Sequence, residues 1–167
     1  MIESTFLQKD DLILRAVSKD DGESFLKWHN DPLLRDVIGG SFPFTSHTFQ
    51  EICNSAKADA PPNIWFSIVI GNNLIGIAGL HRIRYIQGNA EISLLIGDPN
   101  CRGKGFGLTA LELLVDYAFS CLRLHRVYAQ ILSDNYVYIA CRKTAMAADT
   151  VISWVSCFRD PVRYCIF

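Results

Sequence analysis

The spacing of the apolar residues changes abruptly near residue 100, and a run of glycines marks the change. Upstream, Ile64 to Ile70, Leu74 to Tyr85 and Ala90 to Gly97 are strand-like runs parted by Gly71-Asn72-Asn73 and Gln87-Gly88-Asn89, the pattern of an antiparallel meander. Downstream, Leu108, Leu111, Val115, Ala118, Phe119 and Leu122 recur at helical spacing. Between the two stands Cys101-Arg102-Gly103-Lys104-Gly105-Phe106-Gly107, with three glycines and two cations. A helix start offers backbone N–H groups that have no intrahelical acceptor, together with the positive end of the dipole, so an anion is welcome there. Gly103, Gly105 and Gly107 let the backbone come close to that anion.

Two common phosphate cradles are excluded. A P-loop needs Gly-Lys followed by Ser or Thr, whereas Gly103-Lys104 runs into Gly105. Gly103-x-Gly105-x-x-Leu108 lacks the third glycine of a dinucleotide fingerprint, and no acidic residue follows at the required distance.

Elsewhere, Asp11 to Val17 reads as a first strand and Ser18-Lys19-Asp20-Asp21 as a cap for a helix through Phe25, Leu26 and Trp28 that stops before Asp31-Pro32. Residues 31 to 44 read as a mobile or ligand-facing connection, and a second helix starts near Thr45 to Thr48 and ends before Pro61-Pro62. After the long helix, Arg126 to Leu132 is a strand and Asn135 to Met146 a helix. Val151 to Phe158 and Val162 to Phe167 are closing strands. The order predicts a mixed sheet covered by helices, an α+β or layered α/β fold, in one domain over residues 1–167.

The 167 residues carry a net charge of −1, which argues against a nucleic-acid partner. The six cysteines form no Cys-x-x-Cys pair and the four histidines lie far apart, so metal-ligand spacing is absent. No signal-like or membrane-spanning run is present, and together with free thiols this leads to the expectation of a cytoplasmic protein with no membrane partner.

Arg102-x-x-Gly105-x-Gly107 resembles the signature of the GNAT family of acetyl-CoA-dependent N-acetyltransferases, and the element order matches across nearly the whole chain. Trp28 to Arg35 and Asp98 to Gly105 resemble the branch that holds ribosomal-protein N-terminal and polyamine acetyltransferases. The resemblance implies a mostly antiparallel sheet of about seven strands flanked by about four helices, a layered arrangement. It implies acetyl-CoA as co-substrate, with the pyrophosphate on Arg102, Gly103, Lys104, Gly105, Phe106 and Gly107. It further implies that the strand Glu91 to Gly97 splays from its parallel neighbour, so that the pantetheine arm pairs with Leu94, Leu95 and Ile96 and the Leu95 N–H faces the thioester oxygen. Glu91 matches the place of a catalytic glutamate in several family members, with His81 a second candidate base. Asn135 either caps its helix or contacts the pantetheine.

Where the family usually has a tyrosine that protonates the leaving thiolate, this chain has Arg142. Tyr138, ahead of Tyr136, is the substitute, or water serves, since a thiol of pKa ~8.5 leaves readily. The helix end also departs, with Lys143-Thr144-Ala145-Met146 and no glycine cap. The acceptor is a small-molecule or peptide amine, with Trp28, Phe42, Phe44, Trp65 and Tyr85 as candidate walls, and the closing hairpin's edge makes a homodimer reasonable. A coenzyme-binding module with weak or no turnover is the alternative function.

Overall fold

The computed structural model describes residues 5–38, 42–55, 59–132, 152–157 and 164–166. Among the described residues eight strands form a single sheet in chain order: β1 (Thr5–Lys9), β2 (Leu12–Ala16), β3 (Ile64–Ile70), β4 (Asn73–Arg84), β5 (Asn89–Ile96), β6 (Arg126–Leu132), β7 (Ile152–Cys157) and β8 (Tyr164–Ile166). All neighbours are antiparallel except β5 with β6 and β6 with β7. The mixed, mostly antiparallel layout follows from the connections, since short turns join the meander while α4 (Phe106–Asp116) carries the chain over from β5 to β6. The expected count of about seven strands becomes eight because Thr5–Lys9, an exposed edge segment without clear alternation, pairs with β2.

Alternation sorts the sheet into two faces. Leu12, Leu14, Phe66, Ile68, Ala78, Leu80, Ile92 and Val127 face α4, whose Ala110, Leu111 and Leu114 complete the main core. The other face carries Ile77, Trp65 and Leu95 against α1 (Gly22–Asn30), α2 (Pro32–Ile38) and α3 (Ser46–Ser55), through Phe25, Trp28, Leu34 and Phe49. The α-helix is shorter than its apolar spacing suggests: α4 gives way at Tyr117–Cys121 to a wider, π-helical turn before β6.

Helix α2 corrects the expectation of a plain connection. Asp31 leaves α1 in an extended conformation, and its Oδ1 accepts the Leu33 N–H at 2.9 Å while Pro32 opens the next helix. Proline suits the first helical position because its missing N–H has no acceptor there anyway. The stop signal and the start signal are the same dipeptide. Asn30 then brackets Phe44, accepting its N–H at 3.0 Å and donating to its carbonyl at 2.8 Å, while the His29 ring stacks on the Phe44 ring at 4.3 Å.

A buried ion pair fastens α1 to the sheet. Arg15 donates from both terminal nitrogens to Asp21 at 2.8 and 2.7 Å, Ser67 Oγ donates at 2.6 Å and the Ser18 N–H at 2.9 Å. Burial alone would raise the Asp21 carboxyl, but the hydrogen bonds from Arg15, Ser67 and Ser18 outweigh it and hold the group below its ordinary value. A depressed native pKa contributes stability that is complete above the unfolded value of 3.8 and disappears as pH falls through the native one. Asp21→Asn takes the carboxylate charge away from the Arg15 guanidinium and costs about 3 kcal/mol by urea denaturation at pH 7. That penalty shrinks as the pH of the measurement is lowered below 4.

Candidate functional site

The parallel ladder between β5 and β6 is short. It joins Asn89 to Arg126, Ala90 to Val127 and Glu91 to Tyr128, and then stops, although β5 continues to Ile96 and β6 to Leu132. Gly88 sets the start of the pairing: its carbonyl accepts the His125 and Arg126 N–H groups at 2.7 and 3.1 Å. Beyond Glu91, β5 keeps its other neighbour, with Ala78, Ile77 and Gly76 of β4 opposite Leu94, Leu95 and Ile96. Leu94 to Ile96 therefore lie along a V-shaped gap whose second wall is β6.

The glycine run closes the wide end of that gap. Gly103 and Gly105 take φ of +71° and +87°, conformations that favour glycine, and Gly105 is the N-cap of α4. The ladder of α4 begins with the Thr109 N–H on the Gly105 carbonyl at 3.1 Å. The preceding N–H groups, of Phe106, Gly107 and Leu108, are those a helix start leaves without intrahelical acceptors. Gly107 has no positive φ, and a Cβ there would meet only Leu94 and Ile96 side chains at 3.5 and 3.7 Å. Its contribution is closeness of the helix start to the gap, not backbone freedom.

Arg102 is placed differently from a free phosphate-binding cation. Its Nε donates to the Ile96 carbonyl at 3.0 Å and its Nη2 to the Gly97 carbonyl at 2.6 Å, so it satisfies carbonyls at the end of β5 that a continued sheet would have paired. The Gly97 and Asp98 N–H groups both donate to the Ile75 carbonyl, at 2.9 and 3.1 Å. Trp28 lies so close over Gly97 that a Cβ there would collide with its ring. Three contacts thus hold the junction between the gap and the glycine turn.

On the α1–α3 face, alternation brings Glu91, Ser93 and Leu95 into one row and places His81 directly opposite Glu91. His81 Nε2 lies 2.6 Å from Ser93 Oγ, and its ring meets Trp65 edge-on at 4.0 Å. Burial, aided by the Arg82 charge, pushes the His81 imidazole down to about 4, so it is neutral at physiological pH. Glu91 receives Arg82 Nη1 at 2.8 Å. Tyr128, the ladder partner of Glu91 at the point where the gap opens, has the Arg126 guanidinium 5.6 Å from its ring centre. Ser93, Arg82 and Tyr128 were not among the residues expected. Period-two spacing from Glu91 would have found Ser93, whereas Arg82 and Tyr128 need the register. Asn135, Tyr138 and Arg142 lie outside the described residues. Among the described residues no group of three or more His, Cys, Asp or Glu is placed to hold a metal, and no helix is long and apolar enough to cross a membrane.

Comparison with known proteins agrees with this geometry. The family model of the acetyltransferase (GNAT) domain matches residues 11–141. A spermidine N(1)-acetyltransferase of Vibrio cholerae is 40% identical over 127 residues, covering 74% of this chain and 71% of that protein. An uncharacterized N-acetyltransferase, p20, of Bacillus licheniformis is 29% identical over 135 residues, covering 77% and 74%. The crystal structure of spermidine N-acetyltransferase from Vibrio cholerae in complex with CoA and spermine superposes with a TM-score of 0.73 at 26% identity, covering 83% of this chain and 81% of that one. The chain belongs to the GNAT family of acetyl-CoA-dependent N-acetyltransferases.

Proposed function

We propose that this enzyme moves the acetyl group of acetyl-CoA to a primary amine by direct attack within a ternary complex. The observation that carries the reading is the gap between β5 and β6 with a helix start at its wide end. The donor's pyrophosphate is held by the backbone from Gly103 to Gly107, with Lys104 adding charge, and the pantetheine arm follows the free edge of Leu94, Leu95 and Ile96. Arg102 acts through the carbonyls of Ile96 and Gly97, keeping that edge open. A backbone N–H of this stretch, at Leu95 by the family resemblance, faces the thioester oxygen. A fixed donor at a developing oxyanion is worth about 3 kcal/mol of barrier.

The amine arrives on the α1–α3 face, where Glu91, Ser93, His81 and Trp65 form the floor. An alkylammonium of pKa ~10.4 must lose a proton before it can attack, and a further proton leaves as the nitrogen–carbon bond forms. Glu91 is the better base of the two candidates. Protonating its carboxylate removes a charge, whereas protonating His81 would create one in a buried position beside Arg82. His81 instead holds Ser93 in place. The nitrogen's lone pair then adds to the thioester carbon, the carbon–sulfur bond breaks, and the thiolate takes a proton from Tyr138 or water. The acceptor panel includes a polyamine, the substrate in the name of the Vibrio cholerae relative, beside simple monoamines.

Calorimetry with acetyl-CoA tests the donor site: Gly105→Glu, which adds a charged side chain at a position with φ +87°, abolishes binding. Unchanged affinity would place the donor elsewhere. Free-thiol release over an amine panel tests the base, with Glu91→Gln expected to lower kcat about 100-fold at unchanged acetyl-CoA affinity. Full activity in that variant removes Glu91 from the mechanism. For His81, the imidazole resonances followed by NMR titrate with a midpoint of about 4, and the pH profile of kcat/KM carries no step from this residue between pH 5 and 8.

A further inference from the structure

Glu91 is already occupied by a cation of the chain itself, and the backbone is bent to put it there. Arg82 has a φ of 49°, in the left-handed region that residues with a Cβ seldom enter within a strand. It sits where the β4–β5 register slips between His81 and Arg84, and Asn63 Oδ1 accepts its N–H at 3.0 Å. Bulges of this kind turn a side chain to a new direction, and strain at a non-glycine residue persists only where the surroundings impose it. Here the result is the 2.8 Å contact of Arg82 Nη1 with Glu91 Oε2. The carboxylate side chain is 16% exposed and the arginine 66%, so the acid is largely covered while its partner lies in solvent and can swing away. Arg126, two residues before Tyr128 on β6, stands over that tyrosine, the register partner of Glu91, so among the described residues a second guanidinium lies near the Arg82–Glu91 pair.

We infer that Arg82 is a specificity-determining residue, an internal cation that an acceptor must displace from Glu91 and that selects against polycationic acceptors in favour of amines with a single positive charge. An incoming ammonium at Glu91 replaces one charge-assisted hydrogen bond with another, so the exchange gains little. Each further ammonium on a polyamine then meets the displaced Arg82 and the nearby Arg126, and like charges brought together weaken the fit. A monoamine with an apolar body meets Trp65 and escapes that repulsion. The inference rests on the reading that Glu91 faces the acceptor.

Arg82→Gly is the informative variant, because glycine takes a φ of 49° without strain and the bulge is kept. Spermidine and benzylamine are compared as acceptors. In Arg82→Gly, kcat/KM rises for both acceptors, since neither has a cation left to displace, but about tenfold more for spermidine than for benzylamine through a lower KM, a change in their ratio equivalent to ~1.4 kcal/mol. Arg82→Lys keeps the wild-type ratio. Calorimetric titration of spermidine into the CoA-loaded protein shows the same tighter binding in Arg82→Gly without any turnover. A spermidine affinity that is equal, or undetectable, in both proteins overturns the role given to Arg82, even if thiol release is normal. If the wild type releases no thiol with any amine while Arg82→Gly still binds spermidine more tightly, the charge selection stands and the transfer reading falls.

Discussion

The feature on which the rest of this structure depends is a parallel ladder that ends after Glu91 and Tyr128. A β-sheet gains by pairing every backbone group, so two strands that part while both continue leave donors and acceptors that need other partners. Here the far end of the opening is satisfied from within the chain, by the Arg102 guanidinium on the carbonyls of Ile96 and Gly97. The middle, from Leu94 to Ile96, is left for a ligand with amides of its own. A pantetheine arm has that character, and a helix start with Gly103 and Gly105 at left-handed φ stands where the arm's phosphates would follow.

Keeping the gap open requires the junction after β5 to stay fixed while its neighbours stay apart. The Trp28 ring occupies the space that any Cβ at Gly97 would need, and Ile75 accepts two consecutive N–H groups from the same turn. Trp28 belongs to α1, which Asp21 and Arg15 fasten to β2 and β3 through a buried, fully bonded carboxylate. The helix on the proposed acceptor side therefore touches the proposed donor side directly. A shift of α1 by an ångström would be felt at Gly97, because close-packed interiors pass such displacements on rather than absorb them.

Much of the geometry on which the proposed donor half rests was legible in the sequence, and for a physical reason. Binding a phosphate with backbone N–H groups requires glycine, a cation and a helix start next to one another along the chain, so Arg102 to Gly107 shows the pattern locally. Even there, the guanidinium of Arg102 turned toward the strand end, and Gly107 proved to be an ordinary helical residue set close to Leu94 and Ile96. What escaped notice depends on register or context. Thr5–Lys9 is an exposed edge without alternation, and Asp31-Pro32 ends one helix while opening the next. The bulge at Arg82 is invisible without knowing which residues of β4 and β5 face each other. Tyr128 comes opposite Glu91 only through a crossover connection of more than thirty residues between the two.

The acceptor side follows a different logic, in which charge is set by pairs rather than by single residues. Glu91 alone suggests a cation-binding site, but among the described residues Arg82 already pairs with it and Arg126 stands over its register partner Tyr128. The neutral His81, hydrogen-bonded to Ser93, adds shape and a fixed contact rather than charge. The most direct test of the whole account is amide hydrogen exchange with and without acetyl-CoA. Binding should slow exchange at Leu94 to Ile96 and at Gly105 to Leu108 together, while β2 and β3 remain unchanged. Protection confined to other elements, or at the glycine turn without the strand edge, would contradict the assignment of the β5–β6 gap to the acetyl donor.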